Sequence, residues 1–178
     1  MKTPRLLLAS ALATLALAAT ARAEKPLPIA NGDFEQSLTG WLATNDGGMS
    51  VASAAAAHTG KLGLRVTDAS DTLGSSLATK RLPAVAGKSY EVRFAARVVT
   101  GAGIGVYLRF YDAKGKALNT QAQKNENIVA LNRNDTEWKS RSVKGTAPAE
   151  TATVEVWIHS YSKNTVTADF DDVVLVEL

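Results

Sequence analysis

The sequence predicts an all-β domain, a β-sandwich of the jelly-roll type, and two observations predict it. Four segments alternate apolar and polar residues with a period of two, the pattern of strands that bury one face. Turn-forming residues separate these segments, and helical periodicity is weak along the chain. Sheets that alternate in this way are antiparallel. Several short strands at such spacing favour a sandwich or a jelly roll.

The first 23 residues have the pattern of a secretory signal peptide. Lys2 and Arg5 form a basic end, an apolar run follows over 6–19, and the segment 21–23 (Ala-Arg-Ala) provides the small residues of a cleavage site. The apolar run is shorter than the roughly 20 residues that a transmembrane helix needs. We therefore expect residues 24–178 to form one domain that is secreted or periplasmic.

The composition excludes several kinds of site. The chain has 20 Lys plus Arg, 17 Asp plus Glu and no Cys. Because Lys2, Arg5 and Arg22 lie in the predicted signal peptide, residues 24–178 carry equal numbers of basic and acidic side chains. A balanced charge argues against a general nucleic-acid binder, whose affinity comes from neutralised phosphates. The absence of cysteine excludes thiol nucleophiles and iron–sulfur clusters, so the fold must rely on its core or on a metal ion.

The four alternating segments are 62–66, 90–97, 104–111 and 154–159, and turns are predicted around 86–88, 101–103, 112–115 and 147–149. In each segment the apolar set is predicted to face the core and the other set to face solvent. The outward set of the last three segments is rich in aromatic and cationic residues, which is typical of a contact surface. Its members are Arg93, Arg97, Tyr107, Arg109, Tyr111, Glu155, Trp157 and His159.

One connection is long and polar. Residues 119–137 are rich in Asn and Gln and are interrupted only by the apolar segment 128–131. Loops longer than about 12–15 residues are uncommon in compact domains unless they are functional or disordered. Two interpretations are open: a solvated excursion that contains one short strand, or a wall of a binding site.

A set of short motifs occurs in a fixed order along the chain. They are Asn31-Gly32-Asp33-Phe34-Glu35 with Gly40-Trp41, His58-Thr59-Gly60-Lys61-Leu62-Gly63-Leu64, Gly87-Lys88-Ser89-Tyr90-Glu91-Val92, Phe110-Tyr111-Asp112, Trp138, Ala147-Pro148 and Phe170-Asp171-Asp172-Val173-Val174-Leu175. This set resembles the galactose-binding-like carbohydrate-binding modules of the family four, nine and twenty-two group, which are often attached to bacterial xylanases, glucanases and cellulases. The resemblance implies a jelly roll without catalytic activity that binds a polysaccharide or oligosaccharide on the solvent face of one sheet. It also implies that Trp41 and Trp138 pack in the core.

The resemblance further implies a structural calcium ion near the chain ends. The matching ligands are the carboxylate of Glu35, backbone carbonyls at Gly32 and Lys61, and the carboxylate of Asp171 or Asp172. Calcium prefers six to eight oxygen ligands, and an exported domain without disulfides can use such an ion to tie its first strand to its last. The alternative is that these carboxylates are only solvated or mark a strand end. Adjacent strand residues point to opposite faces, so only one of the two aspartates should reach an ion unless a bulge intervenes.

Sugar sites combine aromatic rings with planar polar side chains, which makes the outward set the predicted ligand-binding surface. For Trp157 two roles are open, a platform for the sugar or packing beneath the long loop, and Tyr107 has the same two roles. The arginines have the alternative of pairing with Glu155 and Glu91. If Arg93, Arg97 and Arg109 line one groove, the sequence predicts an anionic polysaccharide such as a uronate-bearing one.

Signals of catalysis are poor. The chain has only two histidines, His58 and His159, and no G-x-S-x-G motif. A glycosidase needs two carboxylates across a cleft, and Glu155 has no partner carboxylate on the outward face. We therefore expect no enzymatic activity. The alternative function is a structural or adhesion module that contacts protein partners or its own copies.

Overall fold

The structure, a computed structural model, describes residues 23–118 and 127–178, which form a β-sandwich. Within these ranges the chain forms twelve strands and one short 3-10 helix, η1 (Ala54–Ala56). All strand pairs are antiparallel and form two six-stranded sheets. The all-β sandwich predicted from the alternation is thereby confirmed. The predicted signal peptide lies outside the described residues except for Ala23. In the described ranges no helix has the length and apolarity to cross a membrane.

The strands are β1 (Lys25–Leu27), β2 (Trp41–Leu42), β3 (Ser50–Ser53), β4 (Gly63–Asp68), β5 (Leu77–Thr79), β6 (Leu82–Pro83), β7 (Ser89–Gly101), β8 (Ile104–Tyr111), β9 (Ile128–Ala130), β10 (Lys139–Thr146), β11 (Thr153–Ser160) and β12 (Val166–Glu177). They form two sheets. Sheet A has the order β10-β7-β12-β4-β3, with β1 also paired to β12, and sheet B has the order β2-β5-β11-β8-β9, with β6 also paired to β11.

The four alternating segments of the sequence coincide with β4, β7, β8 and β11. The turn between β7 and β8 requires glycine, because Gly101 and Gly103 have φ values of 79° and 96°. A Cβ at Gly103 would also lie 2.5 Å from the Cβ of Asn164. This short turn carries the chain from sheet A into sheet B, so two strands adjacent in sequence lie in different layers.

The core lies between the sheets and is built from the apolar set of each alternating strand. Phe94 and Phe170 in sheet A have ring centres 6.2 Å apart, and Tyr90 packs across the sandwich on Phe110 of sheet B at 5.9 Å. The buried hydroxyl of Tyr90 accepts a hydrogen bond from the backbone N–H of Val85. Burying each such side chain contributes about 1.5–3 kcal/mol, which is how a chain without disulfides holds two sheets together.

The last strand, β12, has a bulge in its middle. Its pairing with β7 shifts register between Asp171 and Val174, and Asp172 adopts a φ of 54°. Before the bulge β12 pairs with β4, and after it β12 pairs with β1. The irregularity allows both Asp171 and Asp172 to reach the turn at 58–59. A bulge of this kind is the exception to strand alternation that lets two adjacent residues reach one site.

Candidate functional site

The outer face of sheet B carries a row of aromatic side chains. In the pairing of β11 with β8, Trp157 lies opposite Tyr107, Glu155 opposite Arg109 and His159 opposite Gly105. Trp157 and Tyr107 are half-buried on the outer face, while Val156 and Ile158 are fully buried in the core. The predicted parity of these strands is confirmed, since neither ring is sealed inside the sandwich.

Trp157 lies in a stack of planar side chains. Its ring centre is 5.0 Å from that of Tyr107 and 4.0 Å from that of His159, with the imidazole tilted by only 12°. The guanidinium carbon of Arg109 lies 4.1 Å from the indole centre. Arg109 and His159 lie on opposite sides of the Trp157–Tyr107 pair along the strands, so they approach the indole from opposite sides. The edge of the indole therefore remains for contact with a ligand, with both faces covered by neighbours in the same sheet.

The loop between β4 and β5 fixes the orientation of this stack. Trp157 donates through Nε1 to Oγ of Ser76 at 3.0 Å, and His159 Nδ1 lies 2.5 Å from the carbonyl oxygen of Ser75. A carbonyl only accepts hydrogen bonds, so Nδ1 carries the proton and Nε2 of the neutral imidazole is an acceptor. Burial lowers the pKa of His159, which favours this neutral form.

A buried polar network holds the same loop to β11. The Ser160 hydroxyl donates to Asp68 at 2.5 Å and accepts from the backbone N–H of Ser75 at 2.6 Å. The backbone N–H of Ser160 in turn donates to the Ser75 hydroxyl at 3.0 Å. Because all three side chains are buried and satisfied, the loop is fixed in place.

Glu155 lies at the centre of a charged cluster at the other end of the row. Its carboxylate accepts hydrogen bonds from Arg109, with Nε at 2.6 Å, and from the Tyr111 hydroxyl at 2.7 Å, and Arg81 Nε lies 3.4 Å away. The Arg81 guanidinium carbon lies 3.6 Å from the ring centre of Tyr111. Burial, together with the hydrogen bond to Glu155, raises the pKa of Tyr111 to about 12. Glu155 and Tyr111 point outward as predicted, but both are buried.

Arg81 was not among the predicted site residues. It lies between β5 and β6, in a segment without alternation, and nothing in the local sequence indicates that it approaches Glu155. Its position depends on the pairing of β5 and β6 with β11, which is a long-range property of the fold.

A groove of about 340 Å³ runs beside the aromatic row. Tyr107, Arg109, Trp157 and His159 line it, together with Leu108, Ala117 and Asn127. Burial raises the pKa of Tyr107, and the hydrogen bond to Tyr161 raises it further. Asn127 belongs to the long polar segment, which therefore contributes to the groove wall, and β9 within that segment confirms the predicted short strand.

Two of the predicted ligand-binding arginines lie elsewhere. Arg93 and Arg97 are on β7 of sheet A, so their side chains lie on the outer face of sheet A, on the other side of the sandwich from the groove. Arg93 forms ion pairs with Glu91 and Glu24. The three arginines therefore do not line one groove, and the condition on which the sequence predicts an anionic polysaccharide is not met. Alternation gives the side of a strand but not the sheet to which the strand belongs.

The two family-matched tryptophans have different environments. Trp41 is buried and stacks on Phe34 at 5.0 Å, as expected. Trp138 is only half-buried and lies outside the core cluster. Its ring centre is 5.0 Å from that of His58, and the guanidinium carbon of Arg97 lies 4.9 Å from it. The expectation of core packing is therefore wrong for Trp138, which covers the outer face of sheet A.

Three of the side chains predicted to hold calcium, Glu35, Asp171 and Asp172, contact the turn at 58–62, which contains Lys61. Glu35 Oε1 accepts from the backbone N–H groups of Lys61 and Leu62 at 2.6 and 2.8 Å. These hydrogen bonds lower the pKa of Glu35. The carbonyl of Gly32 accepts from the N–H of Val173 at 2.8 Å. The opening segment, the turn and the final strand are thus tied together.

Both aspartates of the final strand contact the same turn. Asp171 is fully buried and accepts from the N–H groups of His58 and Thr59 at 2.8 and 3.1 Å. Burial raises the pKa of Asp171. Asp172 Oδ1 accepts from the Thr59 hydroxyl at 2.6 Å, and Asp172 Oδ2 lies 2.7 Å from His58 Nδ1.

These contacts bear on whether calcium fits this site. The donor set suits calcium in its chemistry, because it offers carboxylate and carbonyl oxygens. The described residues contain no group of three or more His, Cys, Asp or Glu side chains arranged to hold a metal ion. An ion here would therefore need backbone carbonyls for much of its shell, and it would share oxygens that already accept hydrogen bonds.

Comparisons with known proteins give one family and many structural neighbours. The sequence model of a family described as "Carbohydrate binding domain" matches residues 28–165. No curated protein matches the chain. Among solved structures, a family 16 carbohydrate binding module is 20% identical with a TM-score of 0.63, over 84% of this chain and 99% of that one.

Two further neighbours have the same architecture. A structure titled "CBM4 structure and function" is 19% identical with a TM-score of 0.57, over 85% of this chain and 100% of that one. The CBM22-1 xylan-binding domain of Paenibacillus barcinonensis Xyn10C is 16% identical with a TM-score of 0.53, over 78% and 85% of the two chains. At these identities the similarity shows a shared fold.

Proposed function

The chain belongs to the carbohydrate-binding domain family, and from this premise we propose that residues 24–178 form an exported, non-catalytic module that binds a polysaccharide or oligosaccharide in the groove of sheet B. One observation carries the proposal. The groove brings an aromatic ring, Tyr107, together with the planar polar side chains of Arg109 and His159. These are the two kinds of group that a sugar ring requires.

Each side chain of the groove has a distinct part in the proposed binding. The exposed part of the Tyr107 ring and the edge of the Trp157 indole offer apolar contact to the C–H groups of a sugar. Nε2 of His159 accepts a hydrogen bond from a hydroxyl, and Arg109 donates to sugar oxygens. Because the loop between β4 and β5 fixes Trp157 and His159 before any ligand arrives, little conformational entropy is lost on binding.

Two features support the non-catalytic and exported parts of the proposal. On the outer face of sheet B, Glu155 is buried and engaged by Arg109, so it is poorly placed to transfer a proton to a sugar. The first 23 residues have the order of basic, apolar and small residues that is typical of a signal peptide.

Tyr107→Ala is expected to weaken binding by about 10-fold, because an aromatic contact of this kind contributes about 0.5–1.5 kcal/mol beyond the area it buries. Isothermal titration with xylo-, cello- and mixed-linkage gluco-oligosaccharides measures the affinity, and circular dichroism checks the fold. Trp138→Ala is the matched control, since Trp138 is a half-buried aromatic residue on the outer face of sheet A. Equal affinities of Tyr107→Ala and the wild type would place the ligand elsewhere.

The calcium ion implied by the resemblance is a separate part of the proposal. Its support is that the carboxylates of Glu35, Asp171 and Asp172 all contact the turn at 58–62, while the carbonyl of Gly32 pairs with Val173 next to the two aspartates. Calcium bound there would tie the opening segment to the final strand, which is the part that a disulfide plays in other exported domains.

If calcium occupies this site, millimolar calcium is expected to raise the melting temperature by several degrees relative to EDTA, because a ligand of the folded state stabilises it by mass action. Glu35→Gln should abolish the shift, whereas Glu24→Gln, which changes an exposed carboxylate that pairs with Arg93, should retain it. A melting temperature of the wild type that is the same in calcium and in EDTA would reject the ion. The hydrogen bonds to Glu35 and Asp171 would then tie the chain ends without it.

A further inference from the structure

Among the described residues, two clusters have two arginines that share one buried carboxylate, one cluster on each sheet. In sheet A, Asp169 is shared by Arg65 and Arg97, and this is named the Asp169 cluster. In sheet B, Glu155 is shared by Arg81 and Arg109, and this is named the Glu155 cluster. In each cluster one guanidinium also lies over a tryptophan, Trp138 or Trp157.

The Asp169 cluster is closed by the protein itself. Arg65 forms a two-pronged pair with Asp169 at 2.7 and 2.9 Å, and Arg97 reaches the same carboxylate at 2.9 Å. The Nη2 atoms of both arginines then reach the carbonyl of Ala55, Arg97 at 2.8 Å and Arg65 at 3.4 Å. The carbonyl of Ala55 in η1 therefore gives both guanidinium groups an acceptor in addition to Asp169.

The Glu155 cluster has no such acceptor among the described residues. Arg109 directs both Nε and Nη2 to one oxygen of Glu155, and Arg81 reaches the other oxygen with Nε alone at 3.4 Å. No backbone carbonyl in the described part of the chain accepts from either guanidinium. The side chains of Arg81 and Arg109 are 42% and 31% exposed, so each is partly accessible from solvent.

Among the described residues near this cluster, the charges do not cancel. Two guanidinium groups face a single carboxylate, which leaves about one positive charge at the end of the groove. The turn at 112–116 lies close to Arg81. A Cβ placed on Gly115 would be 3.1 Å from Arg81 Nη1. That turn contributes two lysines and one aspartate. Arg109 itself lines the groove beside Tyr107 and Trp157.

We infer that the Glu155 cluster is an anion-binding subsite at the end of the groove, and that the glycan bound there carries an anionic substituent, a carboxylate or a sulfate. This inference rests on the proposed function of the groove and names its class of ligand. A planar guanidinium suits a carboxylate or sulfate because it donates two parallel hydrogen bonds. Arg81 is then a residue that determines specificity, and Glu155 holds both guanidiniums in place.

The inference is tested with probes that differ only in charge. Isothermal titration compares oligogalacturonate with its methyl ester, a glucuronic-acid-substituted xylo-oligosaccharide with its carboxyl-reduced form, and a sulfated oligosaccharide with its desulfated form. At low salt, at least one anionic probe is expected to bind about 10-fold or more tightly than its neutral counterpart, and high salt should reduce that ratio. The pair that shows the preference identifies carboxylate or sulfate as the anion.

Arg81→Ala is expected to bring the ratio close to one, and Arg81→Lys, which retains the charge without the fork, to give an intermediate ratio. Arg65→Ala, the corresponding change in the Asp169 cluster, should retain the wild-type ratio. Equal affinities within every pair, or a ratio that Arg81→Ala leaves unchanged, would overturn the anion subsite while leaving the proposed groove in place. A folded wild type that binds no member of any pair, and none of the neutral oligosaccharides above, would overturn the proposed function and this inference together.

Discussion

Asp169→Ala is expected to lower the free energy of unfolding by about 3 kcal/mol, because it leaves two guanidinium groups without their shared acceptor. Asp169 is fully buried in β12 and joins that strand to β4 through Arg65 and to β7 through Arg97. Removing one partner of a buried ion pair typically costs about 3–5 kcal/mol. The lower end applies here, since both arginines are partly exposed and water can solvate them once they are released. Chemical denaturation of residues 24–178 measures the change.

Two further variants separate this explanation from the alternative that any substitution in sheet A lowers the free energy of unfolding. Glu24→Ala removes an exposed partner of Arg93, and it should change the free energy of unfolding by less than about 1 kcal/mol. Replacing Arg65, Asp169 and Arg97 together by apolar residues of similar size should recover much of the stability lost in Asp169→Ala. A triple variant as unstable as the single one would show that the packing of β12, rather than the unpaired charge, decides the result.

Much of the fold could be predicted from the sequence because strand alternation is a local property. The segment 104–111 alternates without interruption and corresponds to the whole of β8, and the parity that places Tyr107 outside also places Phe110 in the core. Burial of one face determines which residues of a strand are apolar, so the inward and outward sets could be read without knowledge of the partner strands.

The composition of the site could be predicted only in part because it depends on which strands share a sheet. β7 and β8 are adjacent in sequence and alternate in the same way, yet the turn at 101–103 places them in different sheets. Alternation alone therefore groups Arg93 and Arg97 with Arg109, from which the thickness of the sandwich separates them. The same pattern gives no signal for Arg81, which comes from a segment without alternation that long-range pairing brings to Glu155.

Exposure was a second property that alternation could not provide. Glu155 and Tyr111 have the outward parity of solvent-facing residues, but the guanidinium groups of Arg109 and Arg81 cover them. A long arginine side chain can bury its neighbours on the outer face of a sheet while its own polar end remains in water. The outer face of sheet B therefore has two parts, an aromatic groove with exposed rings and a charged cluster whose carboxylate is buried.

Glu155→Ala is expected to lower both the stability of the domain and its affinity for glycans, whereas Asp169→Ala lowers the stability alone. Glu155 accepts hydrogen bonds from Arg109 and Tyr111 and contacts Arg81, so its removal leaves three donors without an acceptor and should cost about 2–4 kcal/mol. The pair with Glu155 also holds Arg109 over Trp157. Once released, the guanidinium must be ordered again when a sugar binds, which we expect to weaken binding by about 10-fold.

The two buried carboxylates make a matched pair of tests, since each is shared by two arginines, one of which lies over a tryptophan. Titration with the oligosaccharide that the wild type binds best should show reduced affinity in Glu155→Ala and near wild-type affinity in Asp169→Ala, at a temperature where both variants are folded. Glu155→Gln retains an acceptor for Arg109 and Tyr111 while removing the negative charge, so it should restore part of the stability and increase the preference for anionic over neutral probes. Equal losses of affinity in Glu155→Ala and Asp169→Ala would mean that stability alone governs binding, and Glu155 would then have no part in positioning Arg109 for the ligand.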